Sequence, residues 1–300
     1  MAKLVRFRNV EVAEIECKSV LNRVHGMPFA WSINPYQGCY HQCVFCYARS
    51  THAYRELDGV GAWGTQLRAK TNAPAILRRE LARPAWRNED VAIGTATDPY
   101  QAVEGRYRIT RGILGELARA GTPGHLITRS PLIVRDLDVL KDLSAAAAFS
   151  VCVSLPTLDA ALAHRIEPTV ASPAQRLRAV RRLADAGIRV GVAIAPVLPH
   201  LTDDRATLEG VLRAAADAGA SFAWHGVLNL GDVTRDAFFG YLDAEQPQLV
   251  GAYRAMYRAR YAPAAYVRGL GERMRTAGRG VTFAPPPAIE PRPPRELTLF

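Results

Sequence analysis

Three of the five cysteines stand between positions 39 and 46, in the run Gly38-Cys39-Tyr40-His41-Gln42-Cys43-Val44-Phe45-Cys46-Tyr47. The C-x3-C-x2-C spacing gathers three thiols on one short loop. Such an uneven grouping reads as a metal site, because a disulfide framework spreads an even number of cysteines along the chain. A 4Fe-4S cubane ordinarily takes four thiolates. Three leave one iron open to a ligand that the protein does not supply. Zinc is the rival: a structural site needs four ligands, usually in paired Cys or Cys and His sets. Here the fourth has to come from His41, His52 or Cys17, none at a familiar spacing. A zinc-stabilised nucleic-acid binding module without catalysis is therefore the alternative from another class. Cys152, inside the apolar run FSVCVSL, and Cys17 read as structural thiols.

A loop of this kind does chemistry only where a scaffold holds it. From about residue 30 to 230, short β-branched runs alternate with longer helical patterns, the mark of parallel βαβ units. The expected strands are Trp31 to Asn34, Val91 to Thr95, His125 to Thr128, Phe149 to Leu155, Ile188 to Ala195 and Phe222 to Leu228. Six strands in series predict an α/β fold, a partial (β/α)6 barrel of TIM type. The cysteines follow the first strand, at the end where barrel enzymes place their chemistry. Ser172 and Gln175 predict a capping box, with Pro173 at the first helical position and Gly187 closing the helix. Further helices are expected from near Thr110 to Gly121 and from about Arg205 to Ala218. The resulting division is an N-terminal extension over 1–29, the barrel over 30–230, C-terminal helices over 231–283, and a proline-rich tail with an apolar terminal peptide over 284–300.

Apolar residues make up 49% and charged residues 22% of the 300, as in an ordinary globular domain. No run approaches the roughly 18 consecutive apolar residues of a membrane helix. The start, MAKLVRFRNV, lacks the apolar core and cleavage site of a signal peptide, so the expected location is cytoplasmic. A net charge of +10 favours an anionic partner, DNA or RNA first among them. Only Lys3, Lys18, Lys70 and Lys141 are lysines, so an arginine-rich composition bias is the competing source of that charge. Tyr253, Arg254, Tyr257, Arg258, Arg260 and Tyr261 interleave aromatic and basic side chains. Such a stripe can stack bases and neutralise phosphates, or, more commonly, belongs to an amphipathic helix whose tyrosines face the core.

The cysteine run resembles the hallmark of the radical S-adenosylmethionine (SAM) superfamily, C-x3-C-x-aromatic-C, with Phe45 as the aromatic. Within it the chain is similar to the branch of spore photoproduct lyase and related DNA repair photolyase proteins. NPYQGCYHQCVFCYARSTH, Gly94-Thr95-Ala96-Thr97-Asp98-Pro99-Tyr100, RIEPTVASPAQRL and GVAIAPVLP carry that likeness, and CKSVLN with NPYQGC points to an actinobacterial-type subgroup. The resemblance implies a barrel of the radical SAM type and an enzyme with two cofactors. One is a 4Fe-4S cluster on Cys39, Cys43 and Cys46, at once metal ligands and catalytic residues. The other is S-adenosyl-L-methionine, chelated at the open iron and cleaved to a 5′-deoxyadenosyl radical. A reductant such as flavodoxin or ferredoxin is implied as well. By position, Phe45 lies near the adenine with Tyr47 beside the third cysteine. Thr97 and Asp98 meet the methionine end, Arg129 pairs with the carboxylate, Ser154 reaches the ribose and Glu167 orients the site.

Two positions depart from spore photoproduct lyase. Its hydrogen-donor cysteine, in the turn after the second strand, aligns with Thr95, whose O–H bond is too strong to replace a thiol. One of the two tyrosines flanking its third cluster cysteine is Phe45 here. The expected function is thus radical chemistry on nucleic acid, as DNA repair or base modification of lyase or transferase type, and not spore photoproduct repair. The first alternative is the same chemistry on a peptide or small molecule. The terminal Glu296-Leu297-Thr298-Leu299-Phe300 resembles the peptide by which repair proteins dock on a sliding clamp, with glutamate in place of glutamine.

Overall fold

The computed structural model describes residues 3–53 and 62–287, so the expected clamp peptide from Glu296 to Phe300 lies outside the described residues. Eleven strands form among the described residues. They are β1 (Lys3–Phe7), β2 (Val10–Ile15), β3 (Asn22–Arg23), β4 (Trp31–Ile33), β5 (Tyr36–Gln37), β6 (Gln66–Lys70), β7 (Val91–Ile93), β8 (Gly124–Thr128), β9 (Phe149–Ser154), β10 (Val190–Val197) and β11 (Phe222–Val227). The six strands expected of the barrel are β4, β7, β8, β9, β10 and β11, each within two residues of its predicted ends.

These six pair in parallel, and the sheet runs in the order β11-β10-β9-β8-β7-β4-β3. A doubly wound sheet reverses its strand order midway; this one never does. Every crossover therefore moves one strand further in the same direction, keeping the helices on one face and curling the sheet around the other. The curl stays open. Among the described residues β11 has only β10 beside it, and the far edge is closed by the short antiparallel β3. Val151, Val153, Val190, Val192 and Ile194 join Ile113, Leu140, Val180, Leu183 and Leu208 of the surrounding helices in one core. Side chains alternate across a strand, so Cys152, Ser154, Gly191 and Ala193 line the barrel interior.

The helices follow their signals. The capping box of Pro173–Asp185 has both arms, Ser172 accepting from the Gln175 N–H and Gln175 from the Ser172 N–H. Gly121 ends Ile109–Ala120 in the left-handed conformation, with φ +61°, a geometry that glycine adopts without a steric penalty.

Residues 3–29 are not an appendage. β1 and β2 pair antiparallel, β2 runs parallel to β6, and β5 completes a second sheet in the order β1-β2-β6-β5. The helix Ala73–Leu81, also unforeseen, fastens this sheet to the barrel through Glu80, which accepts from the Val20 and Leu21 N–H groups at 3.1 and 3.0 Å and from Ser19 Oγ at 2.7 Å. Cys17 belongs to this region, its thiol donating to Asn72 Oδ1 at 3.2 Å.

At the other end, the helices Asp232–Glu245, Val250–Met256 and Ala264–Ala277 complete the fold. The tyrosine and arginine stripe divides. Tyr253 and Tyr257 are buried, stacked at 5.9 Å between centroids, and donate to the carbonyls of Pro199 and Leu228. Only Tyr261, 66% exposed, accompanies the exposed Arg254, Arg258 and Arg260. The i, i+4 pair thus serves the core and not a surface. Among the described residues no helix is long and apolar enough to cross a membrane.

Candidate functional site

The cysteine loop leaves the carboxyl end of β4 with almost no ladder of its own, so its backbone groups must be paired from outside. Gly38 makes the first turn at φ +76°, where an added Cβ meets the His52 ring at 2.6 Å and the Gln66 carbonyl at 2.8 Å; no larger residue fits. Gln101, fully buried, accepts from the Tyr40 N–H at 2.6 Å and donates to Thr97 Oγ1 at 3.0 Å. Thr97 in turn donates to the Gly38 carbonyl at 2.6 Å. From the end of the helix Ala160–Ile166, which follows β9, Ile166 accepts from the Val44 N–H at 3.0 Å, and just beyond it the Thr169 hydroxyl donates to the Tyr40 carbonyl at 2.9 Å. Arg49 donates to the Cys43 carbonyl and Thr234 to that of Cys46, both at 3.0 Å. Segments remote in sequence bolt down one loop.

Gln101 carries no motif signal, and its role is testable. Gln101→Leu leaves the partly buried Tyr40 N–H without its partner, a penalty of about 1 kcal/mol. The expected result is a lower urea midpoint at an unchanged m-value; a midpoint equal to that of the unsubstituted chain removes Gln101 from this role.

Cys39 and Cys43 are buried and Cys46 partly so. Burial pushes the Cys46 thiol up to about 11 and the Cys43 thiol well above its ordinary value, with the neighbouring thiols adding to the rise and Arg129 opposing it. These thiols hold their protons until a metal displaces them. Ala48 and Trp63 pack around Cys39 and Cys46, and Phe45 packs with Cys43. Three thiols between apolar walls fit a cubane with one open iron, whereas a structural zinc needs a fourth ligand.

Asp98 stands at the end of β7 with both carboxylate oxygens in use. Oδ1 accepts from Thr128 Oγ1 at 2.7 Å and the Tyr100 N–H at 2.9 Å, and Oδ2 accepts from the Arg129 N–H at 2.7 Å. His41 Nδ1 lies 3.2 Å from the same Oδ2. Burial works against charge on both partners, yet the pairing prevails, holding Asp98 below the usual carboxylate range and pushing His41 up to about 10. His41, weighed from sequence only as a zinc ligand, instead ties the cysteine loop to β7 and β8.

Glu167 is the centre of a second buried array. Arg129 Nε donates to its Oε1 at 2.8 Å and Arg176 Nη2 to its Oε2 at 2.5 Å. Arg176 also donates to the Ser154 carbonyl at 2.9 Å. Burial opposes the charge on Glu167, but the two guanidinium groups hold it below the usual carboxylate range. The Ala195 carbonyl accepts from Ser154 Oγ at 3.0 Å and from Arg129 at 3.3 Å. The Arg129 guanidinium lies 5.6 Å from the centroid of Phe45. Arg129, Arg176, Ser154, Glu167 and Phe45 thus converge beside the cysteines, and two guanidinium groups on one carboxylate leave one positive charge uncompensated. Arg176 escaped notice because its neighbours Arg178, Arg181 and Arg182 are exposed, and sequence alone does not separate one buried arginine from a solvated run.

Tyr47, 51% exposed, donates its hydroxyl to the Thr95 carbonyl. Asn34 holds the same turn, donating to Thr95 Oγ1 at 3.2 Å and accepting from the Ala96 N–H at 2.7 Å. All ten residues singled out from the sequence therefore lie around the carboxyl ends of β4, β7, β8 and β9. Two open clefts of about 580 and 490 Å³ lie on the small sheet, lined by residues such as Cys17, Arg68 and Thr65.

The family model described as the Radical SAM superfamily matches residues 33–209. An uncharacterized protein of Mycobacterium tuberculosis is 39% identical over 306 residues, covering 98% of this chain and 90% of its own length. Another, from Methanocaldococcus jannaschii, is 26% identical over 194 residues, 65% of this chain and 70% of its own. Among solved structures, spore photoproduct lyase complexed with dinucleoside spore photoproduct matches with a TM-score of 0.69 at 14% identity, over 90% of this chain and 79% of that one. Streptococcus suis SuiB bound to S-adenosylmethionine matches with a TM-score of 0.51 at 12% identity, over 84% and 48%. At such identities the structural likeness speaks for the fold.

Proposed function

The chain belongs to the radical SAM superfamily, enzymes that work with a 4Fe-4S cluster and S-adenosylmethionine, and from that premise we propose that Cys39, Cys43 and Cys46 hold the cluster and that the substrate is a nucleic acid. One observation carries the first part: two buried thiols and a partly buried third on a loop bolted to the carboxyl ends of the barrel strands, with the Arg129, Glu167 and Arg176 array beside them. When bound, cluster and SAM supply reductive cleavage of the S–C5′ bond to a 5′-deoxyadenosyl radical, with the electron drawn from a reductant of the flavodoxin or ferredoxin class.

The chain's own groups orient and shield. Glu167 fixes Nε of Arg129 and the Ala195 carbonyl takes an N–H of Nη2, leaving the other N–H groups to meet a carboxylate, for which a guanidinium is a planar match. Thr97 and Asp98 hold the turn after β7 against the loop, Ser154 shapes the wall above β9, and Phe45 and Tyr47 flank the third cysteine. Buried Trp63 and Phe45 keep water from the thiols.

The net charge of +10 and the likeness to a lyase that binds a dinucleoside lesion support nucleic acid, and hence DNA repair or base modification of lyase or transferase type. Thr95 and Phe45 argue against spore photoproduct repair itself: no thiol stands in the turn after β7, and Tyr47 is the single tyrosine flanking Cys46. A cytoplasmic location suits free thiols and an oxidisable cluster, and the clamp peptide, if it docks, places the enzyme on DNA. The rival reading is a peptide or small-molecule substrate, and salt dependence separates the two. Binding of a labelled single-stranded oligonucleotide to about six phosphate contacts is expected to weaken by roughly 10²- to 10³-fold between 50 and 200 mM salt. Absent or salt-independent binding favours the rival.

A further inference from the structure

Along β9, β10 and β11 the interior face carries small side chains, Cys152 and Ser154 on β9, Gly191 and Ala193 on β10, and Gly226 on β11. Two large rings interrupt this stretch of wall, both on β11, the strand at the open edge. Phe222, in register with Gly191, fills the lower space: a Cβ on Gly191 meets its ring at 2.4 Å. Trp224 is the other.

Trp224 pairs in register with Ala193, itself opposite Ser154, and so stands on the interior face level with Ser154. Indole rings are ordinarily well covered, yet Trp224 is 43% exposed. It is held in place all the same, Nε1 donating to Cys152 Sγ at 3.1 Å across the barrel wall. Gly226, the next interior position toward the carboxyl end, keeps the ring's margin open; a Cβ there lies 3.4 Å from the indole and 3.6 Å from the Ala195 side chain. The Ala195 carbonyl is where Ser154 and Arg129 donate. The ring is thus fixed, exposed, and one residue away from the groups beside the cysteine loop.

We propose that Trp224 is a stacking platform for a planar heterocycle, a nucleobase of the substrate, entering at the open edge of the barrel. The assignment rests on the nucleic-acid reading above. A flat indole face suits any base, since each has a π-face, and it supplies affinity without sequence preference. The purine of SAM offers the same chemistry, so the test needs an arm for each source.

Binding of a labelled single-stranded oligonucleotide, and of the same strand with abasic sites, is measured by anisotropy on the anaerobically reconstituted holoenzyme, with SAM binding followed by equilibrium dialysis. The unsubstituted enzyme is expected to prefer the base-bearing strand by about tenfold. Trp224→Leu is expected to lose that preference, and Trp224→Phe to keep most of it. Equal affinity of the unsubstituted enzyme for both strands overturns the platform, whether or not the leucine variant folds. A fall in SAM affinity with an unchanged strand preference in Trp224→Leu assigns the ring to the cofactor's purine and overturns it too. An unsubstituted enzyme that binds neither strand sinks the nucleic-acid reading itself, an outcome distinct from binding without base preference.

Discussion

Replacing Cys43 by alanine is expected to abolish cluster assembly and SAM cleavage together. After anaerobic reconstitution the variant should be colourless, its iron near background, and its formation of 5′-deoxyadenosine at least about 10³-fold down, since without the electron source the S–C bond keeps its uncatalysed barrier. Cys39→Ala and Cys46→Ala should match it, because two thiolates hold a cubane poorly. The variants remain folded in this account: the loop is bolted by Gln101, Thr97, Thr169, Arg49 and Thr234, none of which uses a sulfur. Far-UV circular dichroism checks that point. Cys17→Ala, whose thiol bonds to Asn72, should stay brown. A Cys43→Ala chain that binds a full iron complement, or an unsubstituted chain that takes up zinc alone, overturns the assignment.

The second large effect falls on Glu167. Its substitution by glutamine leaves Arg129 and Arg176 facing one another around a neutral group, with side-chain exposures of 22% and 1%. Breaking a buried pair from one side typically costs about 3–5 kcal/mol, a large share of a total stability of about 5–15 kcal/mol. Denaturant unfolding of the two chains measures the loss, and a difference under about 1 kcal/mol contradicts the buried array. The pair has a pH signature. Because Glu167 is held below the ordinary carboxylate range, its contribution is complete above the unfolded value near about 4.3 and is lost as pH falls through the lower folded value. The glutamine variant should lack that acid-side decline.

Much of the scaffold was legible because its signals are local. Each barrel strand is a short β-branched run, the capping box at Ser172 and Gln175 needs only four residues, and Gly121 and Gly187 sit where helices must turn left-handed. The small sheet was not legible. β2 pairs with β6 across more than fifty residues, including the whole cysteine loop, and no local pattern in VEVAEI or QLRAK names its partner. The stripe from Tyr253 to Tyr261 was readable in two ways, since i, i+4 spacing marks a shared face without saying which way it points. Packing against the Pro199 and Leu228 carbonyls decided it.

The site divides along the same line. A three-cysteine loop after the first barrel strand, with Phe45 before the third cysteine, is a matter of residue type and spacing, and the sequence by itself determined the family and its cofactors. Residue type says nothing of burial. Only the tertiary structure decided that Arg176 lies inside while Arg178 lies outside, that His41 faces Asp98, that Gln101 holds the loop, and that Trp224 remains half open inside the barrel. Those outcomes depend on which distant segments meet, and the free energy of a charge or a ring is set by the neighbours it meets.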